Sequence, residues 1–329
     1  MGGTEATILR VTSALSPEFE IGIYQAGRNA RHRSQAGELR PLADAFRSGV
    51  PDAGPDAGPD AGPDAGIVIN RWKVALKLRK RYPHLPIFLW LHVYPGRHNR
   101  KMGAALKAAN IAVICVSHTH AGKVAEFLGQ ASKPDIRVIY NPIADGLCPT
   151  GAPRDINRLL FASSPHKGLG EVFRQFAFLR RNIPALRLAV ADPGYLAWDT
   201  GPVPEGVVFL GSLSHPALIR QMRRSLCLFY PQTVFAETFG LVLAEANAVG
   251  TPALVHDGLG ANAEIVADPA QRVDGHDHDA ILGRITEWRR LPPRVTANPD
   301  FRSESVAENW AQLLSQVIEG RTSAKEGEV

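Results

Sequence analysis

The sequence has little cysteine and no long apolar run, although it extends over 329 residues. Its three cysteines, Cys115, Cys148 and Cys227, have no paired spacing, which argues against a disulfide framework and against a cysteine-based metal site. No stretch approaches the length of a membrane span, and the N-terminus lacks a signal-peptide pattern. We therefore expect a reduced, cytoplasmic protein without a structural metal.

Aromatic residues are also sparse, at 7%. They do not alternate with basic residues as they would in a groove for single-stranded nucleic acid, so we expect no nucleic-acid partner. The charge is uneven, because residues 1–150 contain 19 Lys and Arg against 12 Asp and Glu. Such a basic half predicts that the protein makes a peripheral contact with the inner face of an anionic membrane. Ordinary solvated helix faces are the alternative interpretation.

Short apolar runs rich in β-branched residues alternate with helical patterns along the whole chain, beginning with a strand at 21–25. Strands that are apolar on both faces are typical of parallel sheets covered by helices, so two successive series predict an α/β protein of two doubly wound domains. We place the N-terminal domain at 1–148 and the C-terminal domain at 149–329, with the last helix packing back on the first domain. Ligands of such folds bind at the carboxyl ends of strands, so the domains should face a cleft.

Two stretches depart from this alternation. The unit Pro-Asp-Ala-Gly repeats four times over 51–66, and a proline at every fourth position forbids both helix and sheet ladder. We predict a disordered surface loop there. The chain also opens on Gly2-Gly3 and passes directly into a helix. We therefore expect either a natural start further upstream or a first sheet that lacks a strand.

An apolar helical pattern at 239–249 contains Glu245 and is preceded by Glu237, and it lies between a buried strand at 226–230 and another at 253–255. Eight residues at helical rise span about 12 Å. That span is comparable to the reach of a nucleoside diphosphate sugar from its sugar to its ribose, and both ends carry hydroxyl groups for a carboxylate. The diphosphate could bind the amides at the helix N-terminus, near Phe239, Gly240 and Leu241. Glutamates on a solvated helix are the alternative.

This segment resembles the E-x7-E signature of retaining glycosyltransferases of the GT-B type, specifically family four, over residues 230–255. The resemblance implies two Rossmann-like domains and transfer of a hexosyl group with retention. It implies a UDP- or GDP-sugar donor as co-substrate, no metal or other cofactor, and a glycan, lipid-linked or other small acceptor, as in polysaccharide or lipopolysaccharide biosynthesis. The donor would bind the C-terminal domain and the acceptor the N-terminal domain. A sugar-nucleotide epimerase of the same fold and a catalytically degenerate nucleotide-sugar-binding protein remain as alternatives.

Two further landmarks resemble the family. The stretch Ser163-Ser164-Pro-His-Lys167-Gly resembles its Lys-Gly element, although the serines stand where the family usually has an arginine. Phosphate charge would then be less fully compensated unless another cation substitutes. His92 ends a buried strand in a region where the family often places a histidine against the transferred sugar. A satisfied structural histidine is the alternative there.

By this resemblance, the catalytic residues are Glu237 at the sugar hydroxyl groups, Lys167 at the diphosphate and His92 at the sugar. Glu245 would bind the ribose. The other expected nucleotide-sugar-binding residues are Thr238, Phe239, Gly240, Leu241, Gly3 and Ser163. The loop with Asp274, His276, Asp277 and His278 contains metal-ligand residue types, and we expect it to be a polar loop without a metal.

We predict that deleting residues 51–66 leaves folding intact, because the repeat can bury almost nothing. The melting temperature of the deletion variant, compared with that of the full chain, tests this. A large drop in that temperature would show that the repeat contributes to a core.

Overall fold

The computed structural model describes residues 2–46, 62–192, 194 and 198–326, with side chains as far as residue 319. It contains two compact units. The N-unit comprises Thr4–Pro142 together with the chain from Arg302 onward, and the C-unit comprises Ile143–Phe301 together with Gly2 and Gly3. The junction therefore falls between Pro142 and Ile143.

A parallel four-stranded sheet forms the centre of the N-unit, in the order β4-β5-β6-β7. All five residues of β5 are buried, and the alternate residues Ile87, Leu89 and Leu91 belong to the hydrophobic core cluster of the unit. The elements up to Pro142 are α1 (Gly3–Leu15), β1 (Gly22–Gln25), β2 (His32–Ser34), β3 (Gly37–Pro41), β4 (Gly66–Ile69), α2 (Trp72–Arg81), β5 (Ile87–Leu91), α3 (Met102–Ala108), β6 (Ala112–Cys115), α4 (His118–Leu128) and β7 (Ile136–Val138).

The strand predicted at 21–25 exists as β1, but its place in the parallel series was wrong. It belongs to a separate three-stranded sheet, in which it pairs parallel with β3 while β2 pairs antiparallel with β3. Its strands carry exposed or half-buried side chains, including His32 and Arg33, and so cannot serve as buried central strands. Within the described residues, no ladder joins this sheet to the four-stranded one.

The C-unit contains a six-stranded sheet that is parallel throughout, in the order β10-β9-β8-β11-β12-β13. All six residues of β11 are buried, as expected of a central strand covered by helices on both faces. Its elements are β8 (Asp155–Ala162), α5 (Leu169–Asn182), β9 (Arg187–Ala191), β10 (Val207–Gly211), α6 (His215–Arg224), β11 (Ser225–Tyr230), α7 (Leu241–Ala248), β12 (Ala253–His256), α8 (Asn262–Ile265), β13 (Arg272–Val273) and α9 (His278–Arg290).

The chain ends in α10 (Ser303–Glu326), which groups with the N-unit. Trp310 of this helix is fully buried and meets the ring of Trp90 edge-on at 4.8 Å between centroids. None of the helices in the described ranges is long and apolar enough to cross a bilayer.

Both units use the same local arrangement to turn from a helix into the next strand. Arg79 near the end of α2 donates to the carbonyl groups of Pro83 and Leu85, at 2.7 and 2.8 Å. In the C-unit, Arg180 donates in the same way to the two residues at the same spacing, Pro184 and Leu186, at 2.9 and 2.7 Å. The arginine thereby supplies donors to backbone carbonyl groups of the loop that follows the helix.

Residues 51–61 of the predicted disordered loop lie outside the described residues. Residues 62–65 contain no helix or strand. Gly66 is the first residue of β4, and its amide donates to the carbonyl of Pro86 at 2.8 Å. The inclusion of Gly66 in the predicted loop was therefore wrong, and a deletion designed to spare the sheet should end at Ala65.

Candidate functional site

The strand order of the C-unit determines where a site can form. Numbered along the unit, the order is 3-2-1-4-5-6, so the chain winds in opposite directions on either side of the adjacent strands β8 and β11. In doubly wound folds, ligands bind at this switch point, outside the carboxyl ends of the strands. Lys167 follows the end of β8 and Glu237 follows the end of β11.

The structure brings these two predicted residues into contact. The Nζ of Lys167 donates to Oε1 and Oε2 of Glu237 at 2.9 and 3.1 Å. The hydroxyl group of Tyr230, the last residue of β11, donates to the same Oε1 at 3.0 Å. The Glu237 side chain is 9% exposed and that of Lys167 is 23% exposed. A cation and a carboxylate thus meet in a half-buried position where their interaction is only partly screened by water.

The surrounding groups set the charges at this contact. Burial and the charge of Glu237 raise the pKa of Tyr230, so its phenol stays protonated and remains a donor. Lys167 lies over the face of Phe235, at 4.6 Å from the ring centroid. Burial and the charge of Lys167 lower the pKa of His166, so this imidazole stays neutral near pH 7. The contact therefore pairs one positive with one negative charge, and the Tyr230 and His166 side chains beside it are neutral.

The loop that carries Glu237 is held by polar side chains. Oε1 of Gln232 accepts from the amides of Val234 and Phe235, at 2.9 and 2.7 Å. Glu171 of α5 accepts from both the amide and the hydroxyl group of Thr233, at 2.6 and 2.8 Å. The loop backbone is thus tied to α5 and to its own turn, which limits the positions that Glu237 can adopt.

Gly260 supports Glu237 from the other side. The amide of Ala261 donates to the carbonyl of Glu237 at 2.9 Å. A Cβ on Gly260 would lie 2.5 Å from that carbonyl oxygen and 2.7 Å from the Glu237 nitrogen. The φ angle of Gly260 is 54°, which also favours glycine. Only a glycine allows the two backbones to approach this closely.

The helix after Glu237 begins later than the sequence pattern predicted. Gly240 is its N-cap, with a left-handed φ of 92°, and α7 runs only from Leu241. Glu237 therefore lies in the loop before the helix. The prediction assumed that helical rise sets the distance from Glu237 to Glu245, and that assumption was wrong. The first amides of a helix have no intrahelical acceptor, so those near Leu241 form the positive end of the helix dipole.

Glu245 lies in the middle of α7 and is 5% exposed. Its Oε1 is 2.9 Å from Nε2 of His215, the first residue of α6. Glu237 contacts Lys167 through the loops after β11 and β8. Glu245 contacts His215 through helices α7 and α6. The C-unit therefore contains two separate carboxylate contacts.

The remaining predicted residues occupy different surroundings. Ser163 lies near the hydroxyl group of Tyr230, next to the Lys167 contact. The side chain of Phe239 is buried against Phe301, with ring centroids 5.0 Å apart, so only its backbone can face a ligand. Thr238 is half-buried in the loop. A Cβ on Gly3 would lie 3.3 Å from the Leu241 side chain, which places Gly3 beside the start of α7.

His92 belongs to the N-unit and directly follows β5. Its amide donates to Oδ1 of Asn70 at 2.7 Å, and its ring packs on Trp90 at 4.6 Å between centroids. Burial and the nearby His120 lower the pKa of His92 to about 3. His92 is therefore neutral near pH 7, and it can form hydrogen bonds but cannot act as a cation.

Two of the metal-ligand residue types after β13 approach His256, the last residue of β12. His256, Asp274 and His276 have ligand atoms within 4.8 Å of one another. However, Nδ1 of His256 accepts from the amide of Gly275 at 2.8 Å, and Oδ1 of Asp274 accepts from the amide of His276 at 2.9 Å. Both bonds occupy acceptor atoms that a metal would need as ligands. They also hold the backbone of this polar loop in place.

Sequence reasoning assigned no role to Tyr230, Phe235, Gly260 or His215. In the sequence, Tyr230 is only the end of an apolar strand, and Phe235 is only the start of the motif. Gly260 belongs to a glycine-rich turn, Gly258-Leu-Gly260, which was a usable signal. His215 lies 30 residues from Glu245, and no pattern in the sequence links the two.

Residues 159–297 match the protein family described as "Glycosyl transferases group 1". The matched residues lie wholly within the C-unit. This match confirms the resemblance to the family-four glycosyltransferases that the motif around Glu237 predicted.

Part of the chain is also similar to a curated protein. The D-inositol 3-phosphate glycosyltransferase of Thermomonospora curvata is 29% identical over 198 residues, which are 54% of this chain and 45% of the relative. The chain thus spans about half the length of the curated relative that it matches.

Solved structures show the same fold. AviGT4, a glycosyltransferase involved in avilamycin A biosynthesis, has a TM-score of 0.58 at 17% identity, over 97% of this chain and 91% of its own. The pneumococcal O-GlcNAc transferase GtfA, in complex with UDP and GlcNAc, has a TM-score of 0.56 at 13% identity, over 77% of this chain and 57% of its own. The predicted fold class, α/β of the GT-B type with two Rossmann-like sheets, is confirmed.

We predict that Gly260→Ala is more destabilising than Gly258→Ala. Both glycines have positive φ, so either alanine costs about 1–2 kcal/mol in backbone strain. Only the Cβ at Gly260 would collide with the Glu237 backbone, whereas the position at Gly258 is open, so we expect a further loss of about 2 kcal/mol for Gly260→Ala.

Chemical denaturation of the two variants and the natural chain measures this difference. Equal free energies of unfolding for the two variants would contradict the close backbone contact between Gly260 and Glu237.

Proposed function

We propose that this protein is a retaining glycosyltransferase that moves a hexosyl group from a UDP- or GDP-sugar to a glycan, lipid-linked or other small acceptor. The observation that carries this proposal is the contact between Lys167 and Glu237 at the switch point of the C-unit. The contact lies in the part of the chain that matches the family.

In this proposal, the C-unit binds the donor. Lys167 and the first amides of α7 bind the diphosphate, since both present positive charge to an anion. Glu237 accepts from hydroxyl groups of the sugar, and Glu245 accepts from the ribose. Thr238, Phe239, Gly240, Gly3 and Ser163 lie in or beside the same segments and are the further donor contacts.

The chemical step then depends on stabilising the leaving group. The acceptor hydroxyl group attacks the anomeric carbon while the bond from that carbon to the diphosphate oxygen breaks. The proton of the acceptor passes to the departing phosphate oxygen on the same face of the sugar, which retains the configuration. Lys167 and the α7 amides stabilise the negative charge that develops on the diphosphate. Tyr230 donates a hydrogen bond to Glu237 and orients its carboxylate.

The N-unit would bind the acceptor. His92 is neutral and sits at the carboxyl end of β5, so it could contribute a hydrogen bond to the transferred sugar without adding charge. UDP is the first donor nucleotide to test, because it is the nucleotide bound to the structurally similar GtfA.

Incubation with UDP- and GDP-hexoses tests this function. We expect release of UDP or GDP, which increases when an acceptor is present, and a product whose anomeric configuration equals that of the donor by NMR. We expect Lys167→Met to lower turnover about 100-fold, the magnitude for removing one charge-stabilising group. Arg290→Met is the matched control, because Arg290 is an exposed cation of the same unit.

Other outcomes would replace the proposal. An epimerised donor without free nucleotide would identify a sugar-nucleotide epimerase. Nucleotide-sugar binding without any turnover would identify a catalytically degenerate binding protein. A product of inverted configuration would exclude the retaining mechanism.

We further infer a peripheral contact with anionic membranes through the N-unit, where Lys73, Lys77 and Lys80 are exposed along one side of α2. We predict binding to phosphatidylglycerol vesicles and not to phosphatidylcholine vesicles. Each lysine near such a surface contributes about 1 kcal/mol, so changing all three to Gln should weaken partitioning about 100-fold. Vesicle sedimentation at low and high salt measures this.

The matched control removes three exposed charges from the C-unit, by changing Arg220, Arg290 and Arg294 to Gln. Equal losses for the two triple variants would show only a general charge effect. The absence of binding by the natural chain would overturn the membrane contact.

A further inference from the structure

His215 is placed at the same edge of the C-unit sheet as the site but carries no assigned role. It follows β10 at its carboxyl end and begins α6. Its Nε2 is 2.9 Å from Oε1 of Glu245. The His215 side chain is 38% exposed, whereas that of Glu245 is 6% exposed.

The chemistry of the two groups determines the direction of this bond. An ionised carboxylate can only accept, so the imidazole must donate its Nε2 proton. A buried carboxylate is costly unless it is paired and hydrogen-bonded, and His215 supplies such a partner. The bond also limits rotation of the carboxylate about its own side chain.

Both sides of this bond are firmly supported. Pro216 occupies the first turn of α6 and restricts its backbone, and the amide of Leu218 donates to the carbonyl of Ser214 at 2.9 Å. Helices α6 and α7 pack on each other. The far end of α6 is also anchored, because the Thr251 hydroxyl group donates to the carbonyl of Met222 at 3.0 Å.

The C-terminal part of α7 is anchored by a reciprocal amide pair. Nδ2 of Asn247 donates to Oε1 of Gln271 at 2.9 Å, and Nε2 of Gln271 donates back to Oδ1 of Asn247 at 3.0 Å. Neither helix can therefore shift easily to accommodate a different orientation of Glu245. The carboxylate is held in place before any ligand arrives, which reduces the entropy lost on binding.

We propose that His215 is a positioning residue that orients Glu245 to accept hydrogen bonds from the ribose of the donor nucleotide. This inference rests on the proposed function, because it assumes that Glu245 binds a ribose. The inference adds that His215, by orienting Glu245, makes the site bind a ribonucleotide more tightly than a deoxyribonucleotide.

Calorimetry with UDP and GDP, and with the 2′-deoxy and 3′-deoxy form of each, tests this. We expect His215→Ala to weaken binding of the ribonucleotide about tenfold, as for loss of a hydrogen bond to a charged group. The deoxy analogue that lacks the hydroxyl group bound by Glu245 should lose little. Glu245→Ala should show the same selectivity, and the double variant should be no weaker than Glu245→Ala alone.

Two further variants separate positioning from a merely structural role. His215→Gln can place an amide donor near Nε2 and should recover most of the ribonucleotide affinity. His215→Asn carries an amide that is too short to reach, so it should behave like His215→Ala and replaces it if the alanine variant does not fold. Equal losses for ribonucleotide and deoxy analogue in His215→Ala or His215→Asn would overturn the inference, because they indicate a general structural effect.

The failures of the two proposals are distinguishable. If the natural chain binds neither UDP nor GDP, the proposed function fails and this inference fails with it. If the natural chain binds and Glu245→Ala weakens binding selectively, while His215→Ala and His215→Asn bind like the natural chain, only the role of His215 is overturned.

Discussion

The adjacency of β8 and β11 is the constraint on which the site depends. These two parallel strands are far apart in the sequence, yet their carboxyl ends lie side by side because the sheet changes its winding direction between them. Lys167 after one strand and Glu237 after the other can therefore form a direct ion pair, 70 residues apart in the chain. Without this strand order, the two residues could not form this ion pair.

The two carboxylates of the motif each contact a different kind of partner. Glu237 contacts a full cation, Lys167, and the buried phenol of Tyr230, whereas Glu245 contacts the imidazole of His215. A half-buried carboxylate needs such partners, since its desolvation is otherwise costly. The same partners also fix the orientation of each carboxylate, so charge compensation and preorganisation are achieved by the same bonds.

Glycine allows the close backbone contacts around Glu237. Gly240, with its left-handed φ, turns the chain into α7, and Gly260 lets a neighbouring loop touch the Glu237 backbone. The late start of α7 follows from Gly240, because its backbone conformation cannot continue a right-handed helix. The apolar pattern indicated a helix correctly but could not show that its first turn was replaced by a loop.

The sequence by itself determined the resemblance to the glycosyltransferases, the alternation of strands and helices, and the positions of Lys167, Glu237 and Glu245 relative to those elements, because these depend on local periodicity and on a contiguous motif. It did not determine that β1 pairs with β3 outside the main N-unit sheet, since strand pairing depends on long-range hydrogen bonds that a local pattern does not encode. The contacts of Tyr230, Gly260 and His215 were likewise decided only by the tertiary structure. Each of these contacts joins two segments that come together only when the sheet forms and its helices pack. The spacing of the residues in the sequence does not predict that they are close in space.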